Sequence, residues 1–113
     1  MPATLSLDRL RSELAASPEA ILFEALPARH FLDGHIPGAR HLPPDAVERV
    51  SGAQAPDRDA RVIVYCSNEA CRTSHVAAAA LERLGYRNVG VFPGGKQAWV
   101  DAGLSLEAGG MPA

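Results

Sequence analysis

Several things are scarce in this sequence, and each scarcity removes a class of function. Cysteine occurs only twice, as Cys66 and Cys71. That is too few for the disulfide framework that staples small secreted domains. Charge of one sign is also missing: 13 acidic residues against 11 Lys and Arg leave a net charge of −2. No electrostatic footprint for nucleic acid or an anionic membrane follows from that balance. No apolar run approaches the length of a membrane span. Met1-Pro2-Ala3-Thr4-Leu5 contains no basic region leading into an apolar one, so no secretory signal is read there. Internal repeats and low-complexity blocks are absent too. A reducing cytoplasm is the expected compartment; a periplasmic form already freed of its signal is the alternative.

What is present is an ordinary globular composition, 47% apolar and 21% charged over 113 residues. That suits one domain, residues 1–113, with a core over about 5–106 and a tail at 107–113 that is expected to fray from Ala108 onward. Ser6 is placed to cap a first helix carrying Leu7, Leu10 and Leu14 at helical spacing, and Ser17-Pro18 ends it. Ala20-Ile21-Leu22-Phe23 reads as a buried strand. One or two helical turns follow over Pro27 to Leu32, then a turn-rich loop over Asp33 to Ala39. Pro43-Pro44 is read as opening a short helix through Val47 and Val50, and Gly52 to Asp59 as a flexible loop. Arg61 to Tyr65 is the clearest strand and Thr73 to Leu84 the clearest helix, with Gly85 just beyond its end. Asn88 to Phe92 reads as a strand, and Lys96 to Ala102 as a helix stopped by Gly103. Short apolar strands alternating with helices predict an α/β domain: a mostly parallel sheet of about five strands with helices on both faces.

In such sheets, sites lie beyond the carboxyl ends of strands. Cys66 stands at that end of the best strand. A polar loop, Ser67-Asn68-Glu69-Ala70-Cys71-Arg72, and then a helix follow it. Amides gathered at a helix N-terminus favour a thiolate or an anion. Cys66 is therefore the nucleophile candidate, with a lowered pKa expected. Gly90 to Gln97 approaches the nucleotide P-loop pattern, but Gln97 stands where Ser or Thr is needed for magnesium. Cys66, Cys71 and His75 would give three zinc ligands, and the fourth would have to come from a distant histidine, so no metal is expected.

Three segments together resemble the rhodanese-like domain family in its single-domain form. They are Gly34-His35-Ile36-Pro37-Gly38-Ala39, Val64-Tyr65-Cys66 with its loop and helix, and Gly94-Gly95-Lys96-Gln97-Ala98-Trp99. The resemblance implies a thiosulfate-type sulfurtransferase that carries sulfur as a Cys66 persulfide and needs no cofactor. Ser67, Asn68, Glu69, Ala70, Cys71, Arg72 and Thr73 would bind the anionic donor. Arg72 clamps it, and Thr73 or Ser74 caps the helix or touches the anion. A thiol or an acceptor protein would take the sulfur, and the chain would act as a monomer or homodimer. Cys71 is either a spectator or a resolving thiol. His35 is implied to be structural; His30, His41 and His75 are expected at the surface or partly buried.

Two departures from the family pattern stand out. Glu24 and Leu26 occupy the positions of an Asp-x-Arg motif, so its arginine is missing. Cys66 to Arg72 spans seven residues where sulfur-transferring relatives most often have six. Seven is the length used by phosphatase and arsenate-reductase members, which makes such an enzyme, with Cys66 and Arg72, the first rival. A non-catalytic redox-sensing or binding module is the second. Glu69 opposes anion binding only if it points inward.

Overall fold

The computed structural model describes residues 2–113. In chain order the elements are β1 (Ala3–Thr4), α1 (Leu7–Ala16), β2 (Ile21–Glu24), α2 (Ala28–Asp33), β3 (Arg40–His41), α3 (Val47–Gln54), β4 (Val62–Tyr65), α4 (Thr73–Arg83), β5 (Val89–Phe92) and α5 (Gly95–Asp101). The strands form one sheet in the order β1-β5-β4-β2-β3, with every neighbouring pair parallel. The expected α/β fold, five parallel strands with helices on both faces, is what the chain adopts.

Strand periodicity assigns the two faces, because successive side chains point to opposite sides. Ile21, Phe23, Val62, Val64, Val89 and Val91 face one way and pack with Val50 of α3 and Ala77, Ala78 and Leu81 of α4. Leu22, Ile63, Tyr65 and Phe92 face the other way and pack with Leu10 of α1, Phe31 of α2 and Trp99 of α5. The small side chains on α4 let that helix lie close to the sheet over β4, which fixes where its N-terminus points.

Local signals explain most element ends. Ser6 Oγ accepts the Arg9 amide at 3.1 Å and caps α1. Gly85, at φ +97°, takes the left-handed conformation just past α4. Elsewhere the reading needs correction. Pro43-Pro44 does not open α3: the Ala46 amide bonds to Pro43 O at 3.0 Å in a turn, and the helix begins at Val47. Gly52 to Gln54 is helical rather than loop, because the Tyr86 hydroxyl lies 2.9 Å from Ser51 O and pins the end of that helix. β1 and β3 were not foreseen; each is a two-residue edge strand. The tail is tied down at several points. His35 and Glu107 exchange both backbone hydrogen bonds at 2.9 Å, and the Gly109 amide reaches Leu32 O at 2.8 Å.

Candidate active site

Cys66 follows β4 directly, and the loop after it is gripped from one side. The amides of Lys96 and Gln97, in the first turn of α5, donate to Cys66 O at 3.0 Å and Ser67 O at 2.9 Å. This grip requires glycine at position 95. Its φ is +62°, and a Cβ there would strike Cys66 O and come within 2.8 Å of the Ser67 carbonyl carbon. Gly94-Gly95 thus makes the tight strand-to-helix turn read from the sequence. Gly95→Ala is expected to cost roughly 2–4 kcal/mol, combining left-handed strain with a backbone clash. Gly103→Ala, where φ is +81° and nothing lies within 4 Å, supplies the control for strain alone. Equal shifts of the denaturant midpoint in the two variants would remove the clash from this account.

α4 has no side-chain cap. The side chains of Cys66 and Cys71 lie beside its first turn, where partial positive charge gathers. The hydroxyls of Thr73 and Ser74 do not cap the helix, which is one of the two roles expected of them. The Thr73 hydroxyl is 2.7 Å from Ala25 O and 3.2 Å from Cys71 Sγ, and Ser74 Oγ accepts the Cys66 thiol at 3.2 Å.

The two thiols differ sharply. Cys66 is 1% exposed; burial pushes its pKa up, and its contact with Cys71 pushes it further, against lowering contributions from Ser74 and Thr73. Cys71 is partly exposed. Burial alone would raise its pKa, but hydrogen bonds from Cys66, from Thr73 and from the Ser67 amide outweigh that and hold it at about 6. The expectation of a lowered pKa on Cys66 is thus corrected: burial raises that thiol, and the lowered one is Cys71.

The remaining loop residues divide by orientation. Asn68 organises the loop itself, its Oδ1 accepting from Ala70 N at 2.9 Å and its carbonyl from Cys71 N at 3.1 Å. The amides of Ala70 and Cys71 are therefore engaged inside the loop. Glu69 is exposed to solvent. Arg72 is exposed as well and lines, with Thr73, Val76 and Pro44, a cavity of about 320 Å³ beside the loop. Among the described residues, no group of three or more His, Cys, Asp or Glu is arranged to hold a metal ion.

Behind the loop lies a network that the sequence did not reveal. Glu24 is fully buried. Its Oε1 accepts from the Tyr65 hydroxyl at 2.8 Å and stands 3.2 Å from Lys96 Nζ. Tyr65 in turn accepts the Ile36 amide at 3.0 Å, and burial together with Glu24 pushes the phenol pKa up, so it stays protonated. Lys96 Nζ also donates to His30 O at 2.6 Å. Where the family's arginine is replaced by buried Leu26, the cation beside this carboxylate comes from α5 instead. His35 stacks on Phe31 at 3.9 Å and donates from Nδ1 to Phe31 O, a structural role. His41 is buried, contrary to expectation, with Nε2 2.6 Å from Leu26 O and Nδ1 accepting the Ala113 amide.

The match to known proteins follows the same outline. A family model described as the rhodanese-like domain matches residues 6–102. A thiosulfate sulfurtransferase from Pseudomonas aeruginosa is similar at 28% identity and a TM-score of 0.82, over 98% of this chain and 21% of that one. This chain thus spans about a fifth of that relative. The human single-domain sulfurtransferase TSTD1 is similar at 25% identity and a TM-score of 0.76, covering 89% of this chain and 97% of the other. A polysulfide-sulfur transferase homodimer from Wolinella succinogenes shares the fold at 19% identity, with a TM-score of 0.76 over 95% and 79% of the two chains. Among curated proteins, none matches this sequence. The match over residues 6–102, on a parallel sheet with its cysteine at the carboxyl edge, shows that the chain belongs to the rhodanese-like domain family.

Proposed function

We propose that this chain is a sulfurtransferase that takes sulfane sulfur from thiosulfate or a similar anion and carries it as a persulfide on Cys66. The observation that supports this most is the placement of two free thiols on the loop between β4 and α4, with Cys66 Sγ 3.2 Å from Ser74 Oγ in the first turn of that helix. In the first half-reaction Cys66 Sγ attacks the outer sulfur of the donor. An S–S bond forms, the S–SO3 bond breaks, and sulfite leaves with the electron pair. Arg72 is exposed beside the loop and suits the arriving dianion. A small thiol, cyanide or an acceptor protein then removes the outer sulfur. Two adjacent unpaired cysteines suit a reducing compartment such as the cytoplasm.

Incubation with thiosulfate followed by peptide mass spectrometry tests the reading. One added sulfur atom on Cys66 is expected, together with thiosulfate:cyanide turnover that exceeds hydrolysis of an aryl phosphate. The seven-residue loop keeps a phosphatase or arsenate reductase as a second reading. Efficient phosphate hydrolysis without a sulfur adduct would establish that one instead. A Cys66–Cys71 disulfide as the sole product would point to a redox-sensing module.

A further inference from the structure

We infer that the cavity between α3 and α4 seats the sulfur acceptor, and that this acceptor is a small thiol bearing a hydrocarbon chain and a carboxylate. The inference rests on the sulfurtransferase reading for the reaction, though not for the kind of ligand that the cavity takes. Three observations carry it. The cavity, about 320 Å³, has Pro44 and Val47 on the α3 side and Val76, Ala77 and Ala80 on the α4 side, so its walls are largely apolar. That volume falls in the range of small-molecule sites. Val76, one turn into α4, is 65% exposed and has apolar surface to cover. The cavity is also continuous with the catalytic loop. Thr73 lines it, while the next residue, Ser74, holds the Cys66 thiol at 3.2 Å. Last, the cavity carries a guanidinium, that of Arg72, at its loop end.

The charges fix the head group. Among the described residues no carboxylate pairs with Arg72. Asp45 lies on the other wall, ahead of α3, and repels an anion there. A carboxylate therefore has one favourable end, beside the reacting sulfur, and the hydrocarbon is left to run along α4. From Thr73 to Ala80 that helix extends about 10 Å, room for a chain of several carbons. Ping-pong order lets Arg72 serve twice, because sulfite has left before the acceptor arrives. The step balances as follows. The acceptor sulfur forms a bond to the outer sulfur of the persulfide. The bond from that sulfur to Cys66 Sγ breaks, and its electron pair stays on Cys66 Sγ, which takes the thiol proton. Persulfide anion and R–SH thus become Cys66 thiol and R–S–S⁻, with no outside oxidant or reductant.

Two measurements on the full chain test the inference. The first is single-turnover discharge of the persulfide-loaded protein, in which donor binding plays no part. The acceptors are mercaptoacetate, α-mercaptobutanoate and α-mercaptohexanoate, with cyanide as the acceptor that has no chain. Below saturation, the wild-type rate should rise roughly three- to fourfold for each methylene that enters the cavity. Val76→Asp should flatten that rise by adding charge, and Ala80→Leu by filling space. In each, the ratio of the mercaptohexanoate rate to the cyanide rate should fall about tenfold or more. A general loss of fold or reactivity would lower both rates and leave the ratio alone. Replacing the carboxylate of α-mercaptohexanoate by an amide should slow discharge of wild type but not of Arg72→Gln. A wild-type rate that ignores chain length overturns the inference, as does a chain preference that survives in both variants; with loading intact, either result leaves the sulfurtransferase reading standing. The second measurement needs no transfer. On addition of α-methylhexanoate, which carries no thiol, the amide resonances of Thr73, Val76 and Ala80 should shift, and their silence overturns the inference. If those resonances shift while Cys66 takes no sulfur from thiosulfate, the cavity remains a site for organic anions, and the sulfurtransferase reading falls together with the acceptor role.

Discussion

Cys66→Ser is expected to abolish sulfane carriage and to lower thiosulfate:cyanide turnover by about a thousandfold or more. Loss of a covalent nucleophile removes the intermediate itself, not merely a stabilising contact. A serine hydroxyl at the same place cannot ionise near neutral pH, and its oxygen makes a poor persulfide analogue. The fold should survive. The substitution is nearly isosteric, and the new hydroxyl can donate to Ser74 Oγ or Cys71 O, the oxygens that now lie 3.2 and 3.4 Å from the thiol. Thermal unfolding and steady-state turnover, measured on the same sample, separate the two effects. Turnover at the wild-type level would move the sulfur carrier away from residue 66.

Lys96→Met should give the largest loss of stability among conservative changes near the site. Glu24 is fully buried, and its second carboxylate oxygen has no hydrogen-bond partner among the described residues. Lys96, 15% exposed at its side chain, is the cation within reach. Removing it leaves a buried charge opposed only by the Tyr65 hydroxyl, a situation that costs about 3–5 kcal/mol. Glu24→Gln should cost less, because the amide oxygen still accepts from Tyr65 and the freed lysine can turn to water. The double variant Lys96→Met/Glu24→Gln should then recover much of what Lys96→Met alone loses. Additive losses in that cycle, measured by denaturant unfolding, would mean that the two groups do not depend on each other. Activity should fall with stability in Lys96→Met, since the Lys96 amide is also one of the two that hold the loop.

The parts of this fold that could be read in the sequence are those with local causes. Val62 to Tyr65 and Val89 to Phe92 are rich in β-branched and aromatic residues and follow the polar Arg61 and Asn88, and both are interior strands of the sheet. Ser6, Gly85 and Gly103 mark helix ends by their own chemistry. β1 and β3 escaped because two residues carry no periodicity; partners supplied by β5 and β2 make them strands. The cysteine loop was legible from position, being a strand end before a helix. Its electrostatics were not, since the burial of Cys66 and the side-chain partners of Cys71 decide which thiol ionises more readily. Glu24 and Lys96 lie far apart in sequence, and nothing local marks a carboxylate at a strand end as a buried one. His41 was missed for the same reason, its partners being Leu26 and Ala113.

During synthesis the sheet must wait for its last strand. β4 sits between β2 and β5, and the loop beyond it is held by amides of α5. A nascent chain that has released β4 but not residues 89–101 has one bare strand edge and an unanchored pair of thiols. That stage is when oxidants and misplaced strands find the easiest access. Late emergence of the clamp therefore makes newborn molecules, rather than finished ones, the form most exposed to oxidative damage.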